Sequence, residues 1–306
     1  MNVYLPIAEL TENVYTLLAI GGSVGFISGL FGVGGGFLIT PLLIFLGIPA
    51  PVAVASGANQ VLGASMSGLV VHWRRGNLDL KMGGILLCGA LLGSWLGIWL
   101  FGLLRSFGQI DLVISLLYVI LLGIIGTLML SEGIRTMMKG RRGMPQVQDR
   151  GPHRHTWMHG LPLKMRFYRS HLYISMILPI AVGMFGGLIT MMGVGGGFLM
   201  VPLMIYIIGM RTSVVVGTSL FMIIFVTANV TFLQAHQYHT VDIVLTVLML
   251  LGGVVGAQFG ARMAPRISAD RLRIMLAILV LGVGIKMLWD LTVAPADPYF
   301  IDPTTL

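Results

Sequence analysis

Apolar residues fill the chain in long runs separated by short polar joints, and the lengths of those runs predict the architecture. A bilayer core of about 30 Å takes roughly 17 to 25 helical residues to cross. Runs of that size fall near residues 14–31, 52–72, 80–104, 109–130, 173–191, 212–234, 241–263 and 271–289, and each is expected to be a membrane-spanning helix. Two shorter runs, 33–47 and 194–209, follow a glycine cluster directly. They are expected to be either tight crossings or re-entrant half-helices.

Composition points the same way. Of 306 residues, 56% are hydrophobic and only 10% are charged, with a mean hydropathy of +0.93. A soluble domain carries about 25% charged residues, so this chain cannot cover itself with polar surface and reads as an all-α polytopic membrane protein. The 42 glycines show no G-X-Y period, which excludes collagen, and the apolar content excludes a disordered chain. The net charge of +8 is spread over the joints rather than gathered on one basic face, so no nucleic-acid partner is expected. The single cysteine, Cys88, lies in an apolar run and allows no disulfide framework. Residues 1–13 hold Glu9 and Glu12 but no Lys or Arg, unlike the basic start of a cleaved signal. The N-terminus is expected to be retained and to lie outside the cytoplasm.

An internal repeat organises the chain. Gly32-Val33-Gly34-Gly35-Gly36-Phe37-Leu38 recurs unchanged as Gly193-Val194-Gly195-Gly196-Gly197-Phe198-Leu199, an offset of 161. Pro41-Leu42 then matches Pro202-Leu203, Ser56 matches Thr218 after a one-residue insertion, and the ladder Gly89, Gly93, Gly97 matches Gly252, Gly256, Gly260. Self-similarity of this kind marks a repeated structural unit. The expected layout is a first transmembrane repeat at 1–130, a basic linker at 131–172 and a second transmembrane repeat at 173–306.

The linker holds nine of the 19 Lys and Arg residues against two acids, Glu132 and Asp149. By the positive-inside rule it is cytoplasmic, either solvated or lying on the anionic leaflet. If the N-terminus is outside and each half crosses five times, 17 of the 19 basic residues fall on the cytoplasmic side and only Arg105 and Lys286 outside. The C-terminal tail with Asp297 and Asp302 is then outside as well. Five crossings per half make the halves inverted repeats, the plan of many secondary transporters, with helices broken at the glycine motifs.

The glycine cluster lacks the βαβ setting and later acid of a dinucleotide fingerprint. Inside a bilayer, unwound backbone is tolerated only where protein buries it or it lines a cavity. The half-helix that follows starts with backbone N–H groups and the positive end of its dipole, a seat for an anion. Gly34, Gly35, Gly36 and Gly195, Gly196, Gly197 are therefore candidate substrate ligands. The other reading is close helix packing through small residues, which suits the Gly89, Gly93, Gly97 ladder better than three glycines in a row.

The next spans carry neutral donors: Ser56, Asn59, Gln60, Ser65 and Ser67 in the first half, and Thr218, Ser219, Thr227, Asn229 and Thr231 in the second. Ser56 and Gln60 share a helix face at i and i+4. Ser56, Asn59, Gln60, Thr218 and Ser219 are candidate substrate ligands, with interhelical bonding the competing role. Glu132, Asp111, Asp242 and Asp290 all sit at span ends, so no carboxylate relay is expected at mid-membrane, and a neutral or positive site favours an anion. His72, Arg74 and Arg75 close one span and form a candidate basic vestibule, with Pro41 and Pro202 as gating positions; anchoring at the interface is the alternative. His236 and His239 occupy the corresponding place in the other half. His153, His155 and His159 resemble metal-ligand spacing, yet a basic loop repels cations, so neither metal nor cofactor is expected.

Two G-x-G-G-G-[FL]-[LI]-x-x-P-L segments, each opening a half and followed by a small-polar helix, resemble the sulfite exporter TauE/SafE family, also called the TSUP family. The resemblance covers nearly all of the membrane portion. It implies an inner-membrane carrier of sulfite, sulfoacetate, taurine-derived sulfonates or other small anions, with Gly32 to Pro41, Ser56 and Asn59, and Gly193 to Pro202 with Thr218, as the matching residues. The second half departs from the pattern, since Phe221 stands where Asn59 has its counterpart.

The expected mechanism is alternating access, an anion being held near the midplane while one half rocks against the other. Export follows the inside-negative potential, worth about 2.3 kcal/mol per charge per 100 mV. H+ is a candidate coupled ion, through a histidine or the anion's own protonation; the oligomeric state is left open. An anion channel and a carrier of other small organic anions are the alternatives. No convergent nucleophile, acid pair or metal cluster supports a membrane enzyme.

Overall fold

The computed structural model describes residues 2–31, 34–74, 76, 78–141, 164–167, 169–170, 172–193, 196–210, 212–263 and 269–293. Among these, ten α-helices fall in two runs of five. The first run is α1 (Val14–Phe31), α2 (Gly36–Phe45), α3 (Ala50–Arg74), α4 (Leu80–Ser106) and α5 (Ile110–Arg141). The second is α6 (Ile177–Met191), α7 (Gly196–Leu203), α8 (Thr212–Tyr238), α9 (Ile243–Met263) and α10 (Ala269–Thr292). A π-helical turn, Met204–Ile208, extends α7 and stops at Gly209, whose φ of 79° is left-handed. Six of the described helices are long and apolar enough to cross a membrane. The chain is an all-α polytopic membrane protein.

Each run is preceded by a β-hairpin that the apolar pattern did not anticipate. Strand β1 (Asn2–Leu5) pairs antiparallel with β2 (Leu10–Asn13), and β3 (Lys164–Phe167) pairs antiparallel with β4 (Leu172–Ser175). Leu5 and Phe167 occupy the same place in the two hairpins and both are buried. Residues 164–167 and 172–175 are therefore strands, although 164–172 were expected in the linker and 173–175 in a span. At the linker's other edge, residues 131–141 continue α5 as helix, because Met, Glu, Lys and Arg in that stretch sustain a helix once a long apolar one is propagating into it.

The most extensive helix contacts join the two halves: α1 packs on α9, α4 on α6, α5 on α10 and α3 on α8. If α1 corresponds to α6 and α4 to α9, the first two seams are equivalents of one another. Both are glycine seams. A Cβ at Gly93 would drive into the Met184 carbonyl, and one at Gly256 into the Gly22 carbonyl. Small residues let backbones approach this closely in a bilayer, so the two glycine ladders are packing surfaces.

Hydrogen bonds at the helix ends fix their directions. Asp242, at the head of α9, donates its backbone N–H to Ser56 Oγ near the head of α3 at 3.2 Å, and its carboxylate accepts from Ile7 N, just before α1, at 3.0 Å. The heads of α1, α3 and α9 thus lie at one end of the bundle, and α2 brings the chain back between α1 and α3. At the opposite end, Asp79 at the head of α4 donates its N–H to Thr218 Oγ1 near the head of α8 at 3.1 Å, and its carboxylate accepts from Ser170, just before α6. There α7 plays the returning role. With 10 residues, α2 rises only about 15 Å, about half of a bilayer core.

Candidate functional site

Both returning helices start at a left-handed break. Gly34 has φ 87° and Gly35 φ 65°, a region that L side chains enter only at a cost of roughly 1–2 kcal/mol. Gly35 is the N-cap of α2, and its carbonyl accepts from Leu38 N and Ile39 N at 3.1 and 3.3 Å. Gly193 has φ 92°, and a Cβ there would enter Val54. Its carbonyl accepts from Thr40 Oγ1 at 3.2 Å and from the buried Tyr118 hydroxyl. A residue of α2 and one of α5 thus pin the turn that leads into α7. Gly195 lies outside the described residues; Gly196 opens α7, and Gly197 is buried in its first turn.

Phe37 and Phe198 directly follow these starts. Their rings stack with centroids 4.1 Å apart and planes 19° from parallel, so the first turns of the two half-helices meet. Pro41 and Pro202 sit inside α2 and α7, where each removes one backbone donor and weakens the helix locally.

The neutral donors of α3 divide into two groups. Ser56 is fully buried and its hydroxyl receives the Asp242 N–H. Asn59, half-buried, returns its Nδ2 to the Ala55 carbonyl at 3.3 Å. Gln60 and Ser65 differ from both. Gln60 is buried between α1 and α9, with Nε2 at 3.5 Å from the Gly21 carbonyl and Oε1 without a partner. Ser65 is buried and its hydroxyl has no partner. A Cβ built on Gly34 would stand 3.4 Å from Ser65 Oγ, so that hydroxyl borders the break in α2. A buried polar group left unpaired costs about 1–3 kcal/mol.

In α8 most of the donors are paired, several by their own helix, although the Thr231 hydroxyl is buried without a partner among the described residues. Thr218 Oγ1 donates to the Val214 carbonyl at 2.8 Å while receiving the Asp79 N–H, and Ser219 Oγ donates to Val216 at 3.0 Å. Thr227 donates to Ile223 at 2.7 Å, and Asn229 donates to Ser94 Oγ at 2.8 Å. The two broken helices are alike, but the polar surroundings are not.

At the end of α3, His72 is half-buried and Arg74 exposed, while Arg75 lies outside the described residues. His236 is exposed and stacks on Phe232, and His239 is exposed in the loop after α8. His153, His155 and His159 also fall outside the described residues.

Sequence reasoning missed the roles of three groups. Asp79 and Asp242 are both buried, and each caps its helix by accepting from the N–H three residues on, Met82 and Leu245, at 3.1 Å. An apolar-Asp-apolar triplet, Leu78-Asp79-Leu80 and Val241-Asp242-Ile243, opening equivalent spans was the signal. Ser65 had been noted only as one of a polar set. Tyr118 carried no signal, since one aromatic in an apolar run reads as core.

A family model described as "Sulfite exporter TauE/SafE" matches residues 17–287. The chain belongs to that family. A probable membrane transporter protein of Xylella fastidiosa (strain 9a5c) is 28% identical over 290 residues, covering 91% of this chain and 96% of the relative. The probable membrane transporter protein YjnA of Bacillus subtilis (strain 168) is 29% identical over 274 residues, covering 89% of this chain and 99% of the relative. An archaeal relative, the probable membrane transporter protein MJ0441 of Methanocaldococcus jannaschii, is 25% identical over 289 residues, covering 89% of this chain and 94% of the relative. No solved structure matches the chain. This TauE/SafE protein is a multi-pass membrane transporter whose surroundings are the lipid bilayer.

Proposed function

We propose that this TauE/SafE protein exports a small sulfur-containing anion, such as sulfite, sulfoacetate or a related organosulfonate, by alternating access across the inner membrane. The observation that carries the reading is the buried, unpartnered Ser65 hydroxyl beside the glycine break at the head of α2, in a chain whose family is described by sulfite export. A hydroxyl and helix-start N–H groups are donors, and donors without a nearby carboxylate favour an oxyanion.

In this reading Gly34, Gly35 and Gly36 with Ser65 form the principal seat, and Gly195, Gly196 and Gly197 form a second, weaker one. Gln60 lines the approach between α1 and α9. Ser56 and Thr218 serve the seat from a distance by fixing the heads of α9 and α4. The halves are inverted repeats, a reading supported by the opposite directions that the Asp242 and Asp79 joints give to α1 and α6. The linker end, with Arg74, Lys81 and Arg169, faces the cytoplasm by the positive-inside rule, and both termini lie outside. Glycine seams that bind each half to the other resist rocking of whole sequence halves. Access therefore alternates by movement of α2 and α7 at their breaks, with H+ as the candidate coupled ion.

The test is ligand-dependent thermal stabilisation of the purified protein against sulfite, sulfoacetate, thiosulfate, small carboxylates and amines. A ligand that binds only the folded state raises the melting midpoint. Sulfite or a sulfonate is expected to raise it, and Ser65→Ala to abolish the rise. No shift with any anion, or a shift with an amine, overturns the reading.

A further inference from the structure

The two hairpin joints differ in one chemical respect. The tip of the first hairpin presents Ile7 to Asp242, and Val244 stands two residues after that aspartate. In the second joint the equivalent residues are Arg169 and Lys81. Beside this second joint lies a cleft of about 390 Å³ whose walls include Trp73, Leu80, Lys81 and Arg169.

The two cations are held in place without being neutralised. Arg169 Nη1 donates to the Gly76 and Leu78 carbonyls at 3.1 and 3.0 Å, two bonds for a group with five N–H donors. Lys81 Nζ donates to the Arg166 carbonyl at 3.3 Å and lies 5.8 Å from the centre of the Phe167 ring. Among the described residues no carboxylate pairs with either cation. Asp79, the acid in the wall, is already engaged: it accepts from Met82 N, from Ser170 N at 3.1 Å and from Ser170 Oγ at 2.6 Å. The lining also holds exposed apolar side chains, Trp73 at 56% and Leu80 at 51%. Both belong to the ends of long helices, at the level where aromatic residues meet the bilayer interface.

A lining that combines two cations with an exposed Trp and Leu, at the ends of two long helices, matches a phosphate carried on acyl chains. We propose that the cleft between the α3–α4 joint and the second hairpin binds the phosphate of an anionic phospholipid headgroup. Basic pockets between helix ends bind such headgroups. The exposed Trp73 and Leu80 favour the lipid over a free phosphate, and Ile7 and Val244 leave the other joint without a counterpart site.

The full chain, purified and delipidated in neutral detergent, is titrated with dioleoylphosphatidylglycerol, dioleoylphosphatidylcholine, glycerol 3-phosphate and inorganic phosphate. Bound lipid is counted by native mass spectrometry and the melting midpoint is followed in parallel. Phosphatidylglycerol is expected to be retained and to raise the midpoint, while phosphatidylcholine and the soluble phosphates are not. Lys81→Gln is expected to weaken phosphatidylglycerol retention about fivefold; Arg169→Lys, which keeps the charge, is expected to retain more lipid than Arg169→Gln. Equal retention of both lipids, a response to soluble phosphate alone, or a Lys81→Gln protein that melts normally and retains lipid as the wild type does would overturn the proposal. None of these readouts depends on the transported anion.

Discussion

Phe37 and Phe198 lie face to face, their ring centroids 4.1 Å apart, although 161 residues separate them in the chain. Each is at most 2% exposed. Each also follows a glycine break, so the stack couples the first turn of α2 to the first turn of α7. A movement of one half-helix is felt by the other through this pair. Replacing either ring by Ala is expected to cost about 3–5 kcal/mol, the range for a fully buried Phe. A milder pair, Phe37→Leu and Phe198→Leu, is expected to fold and to leak anion without exchange. Chemical denaturation measures the first effect and efflux from preloaded vesicles the second.

Ser65 offers a separation of stability from function. Removing a buried hydroxyl that has no partner leaves nothing unpaired behind, so Ser65→Ala is expected to melt at or above the wild-type midpoint. The same change removes a donor worth about 1.5–3 kcal/mol to a charged ligand, which is a tenfold to hundredfold loss of anion affinity. Ser219→Ala, whose hydroxyl donates within α8, is expected to leave affinity unchanged. Binding isotherms on both variants decide the point.

The aspartates are expected to matter for folding although they bond to none of the seat residues among the described hydrogen bonds. Asp79→Ala removes a helix cap, the bonds to Ser170 and the order they impose on the second hairpin. The loss of a cap costs about 0.5–2 kcal/mol, and the stranded Ser170 donors add to it. Asp242→Ala is expected to behave alike, because it caps α9 and holds Ile7. Asn at either position keeps an acceptor and is expected to recover part of the loss. Melting midpoints of the four variants test this.

Glycines are expected to divide sharply by position. Gly93→Leu and Gly256→Leu force side chains into backbone carbonyls of the facing helix and are expected to abolish the folded protein. Gly84 and Gly282 have nothing within 4 Å of a built Cβ. Ala at either is expected to be neutral or to stabilise by up to about 1 kcal/mol through helix propensity. Yield of monodisperse protein in detergent reads the difference.

Helix number and most boundaries were legible in the sequence, because span length is set by the bilayer and shows as an apolar run. The first expected span, 14–31, coincides with α1. The returning role of α2 and α7 was not legible, since a short apolar run after glycines is compatible with re-entry or crossing. It took the bonds from Asp242 and Asp79, which link residues far apart in the chain, to fix the directions. The hairpins were hidden for a related reason: 4-residue strands of mixed polarity carry no period strong enough to stand out beside long apolar helices. Among the candidate ligands, residue type identified donors but not their partners. Ser56 and Ser65 look alike in sequence, and only packing shows that one hydroxyl receives an Asp N–H while the other borders a glycine break without a hydrogen-bond partner.

The most direct measurement is counterflow in vesicles reconstituted with the purified protein. Vesicles preloaded with unlabelled sulfite or sulfoacetate are diluted into medium containing a trace of the labelled anion. The account predicts that label accumulates transiently above its outside concentration, that internal anion accelerates its entry, and that Ser65→Ala suppresses both. Entry of label at the same rate with or without internal anion would make the protein a channel, and no entry of any sulfur anion would contradict the assignment of the substrate.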